Sequence, residues 1–169
     1  PLGFTRNPGS LRMNLDFGGR IVMVTGGTGA LGSAVVDAMV RSGATCHVTC
    51  LKSDELARFP FRDHPQVRVH TNIDLTDERT VESLYTACAG ASPLWASIHI
   101  AGGFAMSPIE RASKSDFDSL MQSNAASCFL CCREAIKHFA PSGGRIVNVA
   151  ARPGLMPELG AGMVAYTAS

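Results

Sequence analysis

Charge is scarce in this chain. Asp, Glu, Lys and Arg make up 17% of the 169 residues, against about 25% in an ordinary soluble domain. The formal net charge of +1 gives no overall field to gather nucleic acid or an anionic membrane surface, and neither is an expected partner. Long apolar runs are lacking too. None approaches the roughly 18 residues of a membrane-spanning helix, and no secretory signal is legible; the cytoplasm is the expected compartment. The cysteines, Cys46, Cys50, Cys88, Cys128, Cys131 and Cys132, therefore do not read as a disulfide framework. Cys128 and Cys131 do form a C-x-x-C. It lies in an apolar helical stretch, where small core residues are the expectation and a metal or redox site is not.

Residues 1–12, PLGFTRNPGSLR, read as a vector-derived leader, with Met13 as the native start. A single domain is expected over 13–169, organised around 21–32, IVMVTGGTGALG. Ile21, Val22, Met23 and Val24 are an unbroken apolar run too short for a helix. They predict a strand buried on both faces, central in a parallel sheet. Gly26, Gly27 and Gly29, with Thr28 between them, predict a tight turn. Ala30 and Leu31 then open a helix, with Leu31, Val35 and Met39 expected on its inward face. A strand, a glycine turn and a helix N-terminus make a place for a pyrophosphate, because free backbone N–H groups and the helix dipole point at it. From Gly27 the turn reads G-T-G-A-L-G, the dinucleotide-binding pattern in the strand-to-helix context that the pattern requires.

Downstream the pattern alternates. Strands are expected at 44–51, 66–71, 95–100 and 145–150. Helices are expected near 53–59, at 78–89 behind a Thr76 or Asp77 cap, and at 115–139. The last should carry Phe117, Leu120, Met121, Asn124 and Cys128 on one side. Gly43 should close the first helix. This alternation predicts an α/β fold, a Rossmann-type doubly wound parallel sheet of strand order 3-2-1-4-5 with helices on both faces. Its ligand belongs at the carboxyl ends of the strands, where the order reverses.

Thr25 to Gly32, then Asp74 and Leu75, Ala101 and Gly102, Asn124 and Tyr166 stand in the order and spacing of a known family. Over 19–169 the chain resembles the short-chain dehydrogenases/reductases. The resemblance implies a domain that binds NAD or NADP and moves a hydride to or from a carbonyl, alcohol or imine carbon of a small molecule. It implies the glycine turn (Gly26, Gly27, Thr28, Gly29, Ala30, Leu31) on the pyrophosphate and Asp74 with the Leu75 backbone on the adenine. Ala101 and Gly102 would pack against the adjacent ribose. Tyr166 would be the proton donor, and Asn124 would hold a water in the proton relay. The bland alternatives are a kink residue for Asn124 and a core or interface tyrosine for Tyr166.

The departures from the family pattern carry information. Ala30 replaces a glycine of the commoner subgroup, and the usual N-N-A-G reads His99-Ile100-Ala101-Gly102. The serine expected after the fifth strand falls at Ala150 or Ala151. The serine-less strand and the G-M-V-A-Y ending at Tyr166 resemble the quinonoid dihydropteridine reductase branch. The family's lysine would lie just past Ser169, and two further strands and a substrate-covering segment would follow. The chain is therefore expected to be C-terminally truncated, and the intact protein a homo-oligomer. At the end of the second strand no carboxylate stands before Asp54, while Lys52 and Ser53 offer charge and a hydroxyl to a 2′-phosphate, which favours NADP over NAD. A catalytically silent dinucleotide-binding sensor or regulator is the alternative function, and a domain for another nucleotide a third.

Overall fold

A computed structural model describes residues 16–90 and 92–169; the expected leader and Met13 lie outside the described residues. The order of elements is β1 (Ile21–Thr25), α1 (Ala30–Arg41), β2 (Thr45–Cys50), β3 (Val67–Thr71), α2 (Glu78–Ala89) and β4 (Leu94–His99), followed by α3 (Lys114–Leu120), α4 (Ser127–His138), β5 (Arg145–Asn148) and α5 (Val164–Ala168). A 3-10 segment, Ser53–Arg58, stands between β2 and β3, where the short helix was expected. Asp77 is the cap of α2, its side chain accepting from the Thr80 N–H. No helix among the described residues is long and apolar enough to cross a membrane.

The sheet has five parallel strands in the order β3-β2-β1-β4-β5. This is the expected Rossmann-type order. Val22, Met23 and Val24 in β1 are each 0% exposed, because helices cover both faces. Val22 and Val24 pack with Val36 and Val40 of α1. Met23, on the other face, packs with Val81, Leu84 and Tyr85 of α2 and Cys131 and Ala135 of α4. The unbroken apolar run is the signature of that two-sided burial.

Two expectations about helix faces are corrected. The buried stripe of α1 is Gly32, Val36 and Val40, one residue on from Leu31, Val35 and Met39. Leu31 is 52% exposed, while Val35 and Met39 pack at the flank of the core. The cause is Gly32, where a Cβ would overlap the Gly26 carbonyl oxygen and stand 2.5 Å from the Gly27 Cα. A missing side chain lets the first turn of α1 sit directly on the glycine turn, which fixes the helix rotation.

The helix expected over 115–139 runs from Lys114 to His138, with Phe139 extended beyond it, and carries a π-helical turn, Met121–Ala126, between α3 and α4. One wide turn shifts the side-chain register. Leu120 is buried ahead of it, and Ser127, Cys131, Glu134 and Ala135 are buried after it. Phe117 is 42% exposed, and Cys128 and Cys132 are only half-buried, so the core reading of the C-x-x-C holds for Cys131 alone.

The seating of α1 makes a stability prediction. Gly32→Ala drives a methyl into backbone and should cost at least about 1–3 kcal/mol. Gly29→Ala, whose Cβ meets only the Gly26 carbonyl oxygen at 3.5 Å, should stay within about 1 kcal/mol of the parent. Urea denaturation of the two variants measures the contrast, and equal midpoints would refute it.

Candidate active site

The glycine turn is pinned at both sides to the carboxyl ends of neighbouring strands. Thr25 Oγ1 accepts from the backbone N–H groups of Ile100 (3.2 Å) and Ala101 (3.3 Å). Thr49 Oγ1 accepts from the Gly26 N–H at 3.1 Å. Gly26 has φ +65°, and a Cβ there would stand 2.8 Å from the Ala101 nitrogen, so only glycine fits. Gly29 is the N-cap of α1, with no side chain bonded to the first-turn N–H groups and no acidic residue in that turn. Those orphan donors and the positive end of the helix dipole therefore face outward beside residue 29.

Two cavities share residues 101–103 as a common wall, and the first of them also takes in Gly26 of the glycine turn. The first, about 310 Å³, is lined by Gly26, Thr49, Leu51, Glu55, Asp74 and Leu75 among others. The Asp74 carboxylate accepts from the Thr76 N–H (2.9 Å) and hydroxyl (2.7 Å), which fixes its rotamer at the cavity mouth. Lys52 is exposed and outside that lining. Ser53 Oγ donates to Asn72 Oδ1 at 3.1 Å. The residue that does line the cavity is Glu55, whose Oε2 accepts from Thr28 Oγ1 at 2.7 Å. The linear sequence conceals it. The tight 3-10 turn returns Glu55, rather than the nearer Asp54, toward the strand end.

The second cavity, about 470 Å³, collects Phe104, Asn124, Ala150, Ala151, Tyr166 and Ser169 in its wall. Tyr166 on α5 meets Phe104 edge-on, ring centroids 4.8 Å apart. Asn124, within the π turn, is held by its amide: Oδ1 accepts from the Gly103 N–H (2.6 Å), and Nδ2 donates to the Gly103 carbonyl (3.1 Å) and Ser169 Oγ (2.8 Å). Thus Asn124 and Tyr166 are brought to one cavity, and Asn124 also carries the wall shared with the other. Methyl groups stand at Ala150 and Ala151, where the family's serine was expected.

The cavity floor holds a polar chain, buried except at Asn148, that the sequence does not announce. His99 Nδ1 and Asn148 Oδ1 are 2.7 Å apart. Taking the amide oxygen as acceptor makes Nδ1 the donor, and Nε2 accepts from Ser97 Oγ at 2.8 Å. Ser97 in turn accepts from the Tyr85 hydroxyl at 2.7 Å. Burial holds the His99 pKa below its ordinary 6.5, with Asn148 opposing, and burial pushes the Tyr85 hydroxyl above its ordinary value. A larger cavity, about 540 Å³, lies at the opposite end of the strands beside Arg20, Trp95 and Arg145, away from the glycine turn.

A sequence model of the short chain dehydrogenases matches residues 20–169. The chain belongs to this family. It is 29% identical over 153 residues to a 3beta-hydroxysteroid dehydrogenase of Mediterraneibacter gnavus, covering 83% of this chain and 55% of that protein. It is 30% identical over 138 residues to an uncharacterized oxidoreductase, YgfF, of Escherichia coli, covering 76% and 56%. A gluconate 5-dehydrogenase of Gluconobacter oxydans is 27% identical over 149 residues, covering 82% and 58%. The chain thus spans little more than half the length of these curated relatives. A short-chain dehydrogenase/reductase from Serratia marcescens shares the fold, with TM-score 0.74 at 21% identity over 89% of this chain and 65% of that one.

His99 gives this chain a pH signature. Its folded pKa lies below 6.5, so the unfolded chain binds the proton first, and stability falls as the pH drops below that value. His99→Gln should reduce the slope of unfolding free energy against pH below pH 6.5 by up to one proton, about 1.4 kcal/mol per pH unit. Urea titrations at several pH values measure it; an unchanged slope would contradict the buried, neutral His99.

Proposed function

We propose that the chain supplies the dinucleotide-binding and proton-donating part of an NAD(P)-dependent oxidoreductase acting on a small carbonyl or alcohol (or imine) compound. The observation that carries this reading is the open N-terminus of α1 at Gly29, on a glycine turn whose Gly26 lines one cavity, with a second cavity meeting the first at residues 101–103. A dinucleotide has that layout: an anionic centre and two ring systems. The fit is specific, since Gly26, Gly27 and Gly32 are required for packing, whereas a Cβ at Gly29 would touch little. Residues 26–31 would hold the pyrophosphate, Asp74 and Leu75 the adenine, and Ala101 and Gly102 the neighbouring ribose.

When bound, the nicotinamide supplies or accepts the hydride. Tyr166 gives its hydroxyl proton to the substrate oxygen as the carbonyl is reduced, and takes it back in the oxidising direction. Asn124 positions this end of the site by holding Gly103 and Ser169 on one amide. The relatives' names span a steroid and gluconate, so the proposal stays at the level of carbonyl–alcohol chemistry. Ala150 and Ala151, offering no carbonyl-orienting hydroxyl, favour a second reading, a dinucleotide sensor without turnover.

The geometry supports NAD over the NADP expected from Lys52 and Ser53. A carboxylate at the cavity wall suits a ribose diol and repels a 2′-phosphate, and Glu55 supplies one while Lys52 stands outside. In fluorescence titrations NADH should bind about tenfold or more tightly than NADPH, a difference of about 1.4 kcal/mol, and Glu55→Gln should narrow the gap. Tighter NADPH binding would restore Lys52 as the selector, and binding of neither would refute the dinucleotide reading. Tyr166→Phe should leave NADH affinity unchanged and lower turnover of a ketone or alcohol panel about 10²–10⁴-fold. Binding without turnover in the parent would favour the sensor.

A further inference from the structure

We infer that His47, His70 and Cys88 form a binding site for a zinc-class cation at the outer edge of the sheet, apart from both cavities. His47 lies on β2 and His70 on β3. The strand register places His47 opposite Arg68 and Thr49 opposite His70, so the two imidazoles are diagonal neighbours on one face. That face carries α2, and Cys88, in its last turns, reaches the same point. His47 Nδ1 and His70 Nε2 are 3.0 Å apart, Cys88 Sγ is 3.8 Å from His70 Nε2, and the three ligand atoms all lie within 4.8 Å of one another.

Zinc takes nitrogen at about 2.0–2.1 Å and thiolate at about 2.3 Å in a tetrahedron, whose edges are then about 3.3 Å between nitrogens and about 3.6 Å between nitrogen and sulfur. The two edges at His70, 3.0 and 3.8 Å, are within a few tenths of an ångström of these, and the third, His47 to Cys88, is no longer than 4.8 Å. Two facing ring nitrogens at 3.0 Å can bond only if one carries a proton, and a cation bound to both takes the place of that proton. Coordination moves the proton to the other nitrogen of its ring. The Cys88 thiol loses its proton to solvent as the metal–sulfur bond forms, so each divalent ion bound releases one proton. Two imidazoles and a thiolate select zinc, cobalt or copper over magnesium and calcium. Among the described residues no fourth His, Cys, Asp or Glu joins the group, which leaves the fourth position to water.

A second cluster, His99 with Cys128 and Cys132, is the natural comparison. There both ring nitrogens of His99 are engaged, by Ser97 and Asn148 at 2.8 and 2.7 Å. At the edge site the facing nitrogens have, among the described residues, only each other and Cys88. The bound ion would tie the edge strand β3 and its neighbour β2 to α2.

The test is a cobalt titration of the reduced, chelator-stripped chain, read by the thiolate-to-cobalt charge-transfer band. The expected result is one cobalt per chain, displaced by zinc. Cys88→Ser and, separately, His70→Asn should each weaken binding by more than the about 100-fold that loss of a merely supporting residue causes. Cys128→Ser and Cys132→Ser should leave it unchanged. Circular dichroism identifies any variant that fails to fold, and either edge-site variant suffices. No thiolate band, a band retained in folded Cys88→Ser, or a band lost in folded Cys132→Ser would each overturn the proposal.

Discussion

Contact between two stretches of backbone, the glycine turn after β1 and the first turn of α1, governs both the core packing and the candidate site of this fold. Gly32 lies so close to the Gly26 carbonyl that no side chain fits between them. That closeness fixes the rotation of α1, and so decides that Val36 and Val40 enter the core. It also fixes where the unpaired N–H groups of the helix end emerge. On the far side the same turn is pressed against Ala101, with the Thr25 hydroxyl joining it to the strand end of β4. Packing and ligand geometry therefore share one set of glycines, with Gly29 the member facing open space.

Much of this is legible in the sequence. An apolar run such as Ile21 to Val24 states two-sided burial directly, and regular alternation with glycine punctuation leaves few topologies. The cap at Asp77 and the closing Gly43 come from local chemistry that tertiary packing does not override. Hydrophobicity alone places the inward face of α1 one residue too early, because it ranks Leu31 above Gly32. Here the smallest residue marks the face, since closeness of backbones, not apolar area, is the constraint.

The site is less legible for a related reason. Tyr166 and Asn124 emerge through a resemblance, and their cavity confirms only that they meet. Glu55 is hidden because a 3-10 turn has three residues per turn rather than 3.6, so a carboxylate that looks too distant in sequence is carried back toward Thr28. As sequence, His99 is the loss of an asparagine. Its gain, a chain of hydrogen bonds from Tyr85 through Ser97 to Asn148, depends on residues from three separated elements. Spacing along the chain contains no record of that convergence.

The polar run at 122–127, QSNAAS, shows how a defect in regular structure is made useful. A π turn disturbs the i to i−4 ladder, and its carbonyls need donors. The Ser127 hydroxyl bonds the Ser123 carbonyl at 2.6 Å, which satisfies part of that need locally and leaves the Asn124 side chain free to reach outward. It does so to Gly103, where a Cβ would crowd the Ser123 hydroxyl at 3.0 Å. A straight helix would turn residue 124 to another azimuth, leaving the Gly103 N–H without this partner. The wall common to both cavities thus depends on a helix irregularity. On the proposed reading, this couples the dinucleotide's two ends: the segment 101–103 that separates the ring pockets is anchored by the same amide that holds Ser169 beside Tyr166. A change at Asn124 would then disturb cofactor binding and proton donation together, which distinguishes a positioning residue from one that acts on the reacting atoms alone.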